Sequence, residues 1–333
     1  MAQIFICFLL CLQTNAGDRI NTGTESVTED VGVFANALWL LQTYGHPDCS
    51  APSNDRRVKA VLAKSYAKDR ELTFEALSGL MGKDSFAKIA GGDNCISEGE
   101  MLKALRNATP FSRLAMNPDL RHHADLLTTS FDMIEADHGA AIDQLAEWIA
   151  KSWKPDSTLH VLTTCTGNSR RSILGSTMGN FAAAYYGFDN VRFHSGGTKP
   201  SAFNKRTIAT LKEIGFQIEP VGDEAERGDS KTANPIFRVV WGKDLECLEF
   251  SKSYKDKANP QSEFAAILVC SEADAECPTV SGASLRVSMT FIDPKLYDDG
   301  VFEKAKYAER RDDIGRTFLA VMANARRRLQ EQK

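Results

Sequence analysis

Cys165 and Arg171, six positions apart in the stretch His160–Ser172 (HVLTTCTGNSRRS), are the residues of this chain best suited to nucleophilic chemistry on an anion. The run His160-Val161-Leu162-Thr163-Thr164 fits a buried strand, and Arg171 opens a helical pattern through Ile173, Leu174, Met178 and Phe181. Cys165 is therefore expected at the C-terminal end of a strand. Between it and the helix, Thr166, Gly167, Asn168, Ser169 and Arg170 can curl so that backbone N–H groups converge, and the helix N-terminus adds partial positive charge. Such a cradle suits a tetrahedral oxyanion. The amides, the helix end and Arg171 all favour a thiolate at Cys165. Ser172 can hydrogen-bond that sulfur from the first helical turn, and Arg171 can hold two anion oxygens in fork geometry.

Two further cysteines and an aspartate extend the pattern. Cys270 ends the apolar strand-like run Phe264–Val269, which in an open parallel sheet would place it at the same edge as Cys165. Cys277 follows just before Pro278, on a segment rich in Ser, Glu and Asp that can swing. The spacing is not a zinc pattern, so the pair reads either as redox thiols or as incidental ones. Asp293, before Pro294, is either a turn residue or an acid.

In this order the segments resemble the low-molecular-weight protein tyrosine phosphatase superfamily, and within it the thioredoxin-coupled arsenate reductases. The resemblance covers about residues 158 to 330. Beside the Cys165 loop it rests on VRFHSGGTKPSAFNKRTIATLKEIGFQI (191–218), AILVCSEADAECP (266–278) and FIDPKL (291–296). It implies a three-layer α/β domain with a central four-stranded parallel sheet. It also implies Cys165 as nucleophile, Arg171 as anion clamp and Asp293 as general acid. Thr166, Gly167, Asn168, Ser169, Arg170 and Ser172 would form the oxyanion loop. Cys270 and Cys277 would be a relay that ends as a disulfide reduced by thioredoxin or a similar dithiol, with no bound cofactor. The substrate implied is arsenate; a phosphomonoester is the alternative, in which case Cys270 and Cys277 are spectators. A non-catalytic oxyanion sensor is the third class.

This chain departs from the family pattern in three places. Arg170 stands where a second loop cysteine is common, and reads as extra anion-binding charge or as a solvated side chain. The stretch Lys295-Leu296-Tyr297-Asp298-Asp299 lacks the paired aromatics that would pack a phosphotyrosine ring. The helix Ser172–Phe181 lacks the acidic residue of the reductases' potassium site, so no metal site is carried over. An insertion, PIFRVVWGKDLECLEF (235–250), reads as a hairpin turning at Gly242-Lys243-Asp244, extending the sheet or covering the site, with Cys247 as a packed apolar side chain.

The remainder bounds the reading. The 333 residues, 43% hydrophobic, suffice for two domains, and a formal charge of -4 gives no sign of a nucleic-acid surface. Helical periodicity dominates Val31–Leu41, Arg57–Tyr66, Leu72–Met81, Gly99–Leu105, His122–Ile134 and Gly139–Trp153, so residues 17–150 are expected to form a mostly α-helical domain. A linker at 151–158, broken by Pro155, would lead into a domain at 159–333. FAKIAGGDNCISEGEM (86–101) has the rhythm of an EF-hand but lacks an acidic first ligand, and reads as a helix-to-helix turn in which Ser97 caps over Glu100. His122, His123 and Asp125 read as a helix-start cluster rather than a metal site.

The apolar run Ile4–Leu12, before Thr14-Asn15-Ala16, reads as a signal peptide over 1–16 or as a start codon set too far upstream; it is too short to span a bilayer. The compartment is accordingly cytoplasmic or exported (periplasmic), and export would let Cys49 and Cys95 pair.

Overall fold

The computed structural model describes residues 71–77, 83–97, 100, 111–276 and 279–331. The expected signal peptide, the helices Val31–Leu41 and Arg57–Tyr66, Cys49 and Cys277 lie outside them. The chain divides into two units, Met1–Thr109 with Gln330–Lys333, and Pro110–Leu329.

The described part of the first unit comprises β1 (Glu71–Thr73), α1 (Phe74–Leu77), α2 (Lys83–Ala90) and β2 (Cys95–Ser97). Leu72 and Ile96, both fully buried, face each other across the antiparallel β1–β2 pair. This pairing replaces the start of the helix expected at Leu72. Phe74 packs edge-on against Phe86, with ring centroids 5.4 Å apart. The expected cap is present: Ser97 N–H donates to Glu100 Oε2 at 2.9 Å, and the Glu100 N–H returns to Ser97 Oγ at 3.3 Å.

The second unit contains α3 (Phe111–Ala115), α4 (Pro118–Thr128), α5 (Gly139–Ser152), β3 (Leu159–Cys165), α6 (Arg171–Tyr185), β4 (Val191–Gly197) and α7 (Lys205–Lys212). It continues with β5 (Gln217–Glu224), β6 (Pro235–Gly242), β7 (Leu245–Glu249), β8 (Phe264–Leu268), α8 (Ser271–Glu276), β9 (Ala283–Ser288) and α9 (Glu303–Glu331). The main sheet runs β4-β3-β8-β9 with every neighbouring pair parallel, so this is an α/β unit with a four-stranded parallel sheet. Its central strands are apolar on both faces because helices cover both: β8, FAAIL, is buried at every position. All of α6 is buried as well. Gly179 makes its close approach possible, since a Cβ there would strike the Phe193 ring of β4.

The second unit begins at Pro110, so α3, α4 and α5 fall in the same unit as the sheet, and the expected linker at 151–158 lies inside that unit. Helical periodicity identifies an apolar face without saying what it packs on; here the partners are α6, β9 and α9. Arg113 pairs with Asp125 at 2.7 Å and stacks on the Tyr185 ring, whose hydroxyl also donates to Asp125. His123 meets Asp312 of α9 at 2.8 Å. The expected His122–Asp125 cluster is thus dispersed among partners, and α4 starts earlier, at Pro118.

The hairpin is present, with Asp244 at φ 60 in its turn. It does not extend the parallel sheet: β5, β6 and β7 form a separate antiparallel sheet.

His160 Nδ1 and His194 Nε2 lie 2.9 Å apart on β3 and β4. Burial, then His160 and Lys252, lower the His194 imidazole from 6.5 to about 4. Between those values the unfolded chain binds the proton and the folded chain does not, so this contribution is complete above about pH 6.5 and is lost as pH falls toward 4. Denaturant titrations at pH 7 and pH 5 are expected to show lower stability at pH 5, and His194→Gln to flatten that difference. An unchanged difference in the variant would contradict this origin.

Candidate active site

The strand order reverses at β3: β4 lies on one side and β8 on the other. The crevice of such a sheet opens at the C-terminal ends of those strands, and a cysteine lies at or just beyond the end of β3 and of β8. Cys165 is the last residue of β3. Leu268 pairs with Thr164, and the Val269 N–H donates to the Thr164 carbonyl at 2.9 Å, which carries the chain directly to Cys270.

The loop between β3 and α6 is held by its carbonyls. Those of Cys165, Thr166, Gly167 and Ser169 accept from the N–H groups of Thr198, Lys199, Ser201 and Asn204 at 3.1, 2.8, 3.0 and 3.2 Å. The Gly167 carbonyl takes two more bonds, from the Ser201 and Ser251 hydroxyls. With the carbonyls turned outward, the amides face the other way. Among the described residues, the N–H groups of Gly167, Asn168, Ser169 and Arg170 have no acceptor, as an anion cradle at a helix start requires.

Asn168 adopts φ 40 and is fully buried. Its Nδ2 donates to Ser172 Oγ at 2.9 Å and to Ser195 Oγ at 2.8 Å, while its Oδ1 accepts from the Lys252 N–H at 2.7 Å. Ser172 Oγ lies 3.0 Å from the sulfur of Cys165, itself 4% exposed. The sequence places Asn168 in the loop without a side-chain role; the structure gives it a fixed amide bonded to Ser172, Ser195 and Lys252. The supporting Ser195 was missed, because only the parallel register of β3 with β4 brings it near.

Arg171 is buried and points across the loop mouth. Its Nη1 donates to the Phe291 carbonyl at 3.1 Å, and its Nη2 to Asp293 Oδ2 at 2.9 Å, with Glu272 3.7 Å away. Asp293 Oδ1 meanwhile accepts the Lys295 N–H, capping the short turn Pro294–Tyr297. The turn reading of Asp293 holds: one oxygen caps the turn, while the other accepts from Arg171.

Cys270 is fully buried, and its sulfur accepts the Ala273 N–H at 3.4 Å and meets Thr166 Oγ1 at 3.7 Å. Burial pushes its thiol up, against the pull of the Ala273 N–H and of Arg171. Cys165 and Cys270 are both free thiols. Half-buried Cys247 is pushed up by desolvation, as suits an inert packed side chain.

The Arg170 side chain corrects the sequence reading. It neither faces the cradle nor is solvated: Nε donates to the Tyr307 hydroxyl at 2.7 Å and Nη2 pairs with Asp298 at 3.0 Å. Tyr307, pushed up to about 12 by burial, donates to the same Asp298. Arg206 adds ion pairs to Asp299 and Glu303, each at 2.6 Å. The residues after Asp293 are thereby tied back to the loop. Asp298 and Asp299 were visible in the sequence as charges, but their arginine partners lie about a hundred residues away.

Among the described residues, Glu135, Asp137 and His138 bring ligand-type atoms within 4.8 Å of one another. His138 Nε2 is already engaged by the Thr290 carbonyl at 2.9 Å, and its ring packs on Phe291, whose carbonyl accepts from Arg171. No described helix is long and apolar enough to cross a membrane. No protein-family model and no curated protein match the chain.

A Cβ at position 197 would lie 2.6 Å from the Thr166 carbonyl oxygen and 2.8 Å from the Asn168 nitrogen. Gly197→Ala must therefore displace the loop, at a cost of about 1–3 kcal/mol in stability. Calorimetric titration with inorganic phosphate or arsenate is expected to show affinity reduced at least roughly 10-fold, the order expected for a disturbed set of charge-assisted bonds. Unchanged affinity would contradict the cradle.

Proposed function

We propose that the second unit is a low-molecular-weight phosphatase-like domain that reduces arsenate by a cysteine relay. The observation that carries this reading is the placement of two free thiols, Cys165 and Cys270, at the ends of adjacent parallel strands, beside one arginine-held aspartate. A phosphatase needs the first thiol alone; a reductase needs both.

In this reading, arsenate occupies the cradle with its oxygens on the loop amides and the Arg171 guanidinium. The Cys165 thiolate attacks arsenic, and Asp293 protonates the departing oxygen, which leaves as water. Ser172 hydrogen-bonds the thiolate before attack. Cys270, kept protonated at rest by its burial, loses its proton as it attacks the Cys165 sulfur. The sulfur–arsenic bond breaks with its electron pair left on arsenic, arsenate becomes arsenite, and a Cys165–Cys270 disulfide forms. Cys277 then attacks the Cys270 sulfur, returning Cys165 as thiolate and leaving a Cys270–Cys277 disulfide for an external dithiol protein such as thioredoxin. Water enters only if the adduct is a phosphoryl group, and hydrolysis of a phosphomonoester would be the outcome.

The experiment is arsenate-dependent NADPH oxidation by the full chain with thioredoxin and thioredoxin reductase, with p-nitrophenyl phosphate hydrolysis in parallel. Cys270→Ser is expected to abolish arsenate turnover while any phosphatase activity survives. Arg171→Lys is expected to lower both by roughly 10²–10³, since it removes the preorganised fork on the anion. Phosphate-ester hydrolysis without arsenate turnover in the wild type would overturn the reductase reading.

A further inference from the structure

Behind the loop, on the side away from the crevice, the inserted hairpin ends in a buried charge pair. Glu249 is the last residue of β7, and Lys252 follows three positions later. Their side chains are only 4% and 5% exposed and meet at 3.0 Å. The ammonium also donates to the Phe250 carbonyl at 3.2 Å. The steps from Cys165 to arsenic make no use of this pair.

The hydrogen-bond directions connect it to the nucleophile. An ionised carboxylate only accepts. Glu249 Oε1 takes the Ser195 hydroxyl at 2.6 Å, and Oε2 takes that of Ser176 at 2.8 Å. With its single hydrogen committed to Glu249, Ser195 must accept in its bond with Asn168, so the amide nitrogen is the atom that faces it. The Lys252 N–H, a donor, fixes the amide oxygen on the opposite side. The second Nδ2 hydrogen then goes to Ser172, whose own hydrogen is left for the Cys165 sulfur.

We propose that Glu249 and Lys252 are positioning residues: through Ser195 and Asn168 they hold Ser172 as a hydrogen-bond donor to Cys165. The proposal rests on the reading of Cys165 as a nucleophile, and on nothing about its substrate. Lys252 pairs with Glu249 at 3.0 Å, and a neutral side chain at 249 could donate to Ser195 and reverse the chain of bonds. The pair is faced by His194 of β4 and Cys247 of β7, with His160, Arg192 and Glu246 nearby; Cys270 is faced by Arg171 and by Cys165.

The test is the pH dependence of iodoacetamide alkylation in the full chain, read at the Cys165 peptide by mass spectrometry. Glu249→Gln is expected to raise the midpoint by about one pH unit, the scale of one lost hydrogen bond to the charged form. In a Ser172→Ala background the same substitution is expected to add nothing, because the effect passes through that hydroxyl. If Glu249→Gln alone does not fold, Glu249→Gln/Lys252→Met removes both charges together and is expected to give the same shift and the same dependence on Ser172. An unmoved midpoint in a folded variant, or an equal shift in both backgrounds, would overturn the proposal while leaving the nucleophile intact. A wild-type midpoint near the free-thiol value of about 8.5 would instead remove the nucleophile reading on which it rests.

Discussion

The outward anchoring of the loop carbonyls is the constraint on which the site depends. The N–H groups of Thr198, Lys199, Ser201 and Asn204 each take one loop carbonyl, and the N–H of the same peptide unit points the opposite way. Buried backbone groups are normally paired, and here the loop carbonyls are paired within the protein while the N–H groups of Gly167, Asn168, Ser169 and Arg170 have no acceptor among the described residues. The approach of β4 is what allows it. Gly197 has no side chain to separate its strand from Thr166 and Asn168.

Around that anchor the charges are arranged in three tiers. Arg171 and Asp293 face the mouth of the loop. Arg170 and Arg206 hold the residues after Asp293 through Asp298, Asp299 and Glu303. Glu249 and Lys252 lie behind, where solvent does not screen them. Breaking a buried pair of that kind by removing one partner costs about 3–5 kcal/mol. The inserted hairpin therefore joins the support of the loop instead of lying over it.

The strand, loop and helix around Cys165 were legible because the apolar run ends abruptly at a segment of small polar residues and the helical period begins at Arg171. The hairpin was legible from its alternation and its Gly-Lys-Asp turn. Its destination was not, since alternation says which face is apolar and not which sheet it joins. The same limit moved the boundary of the second unit to Pro110: α4 and α5 show clear amphipathic faces, but Asp125 finds Tyr185, and His123 finds Asp312, only once the chain is folded. Arg170 was misread for a related reason. A charge beside an anion loop looks like an anion ligand until the carboxylate that already holds it, Asp298, is in view.

The most direct measurement is single-turnover trapping in the full-length Cys277→Ser variant, mixed with one equivalent of arsenate, quenched with an alkylating agent and mapped by mass spectrometry without reduction. The relay predicts a Cys165–Cys270 disulfide formed in step with one arsenite per chain. Arsenate consumed with both thiols still alkylatable, or no arsenite formed at all, would contradict it.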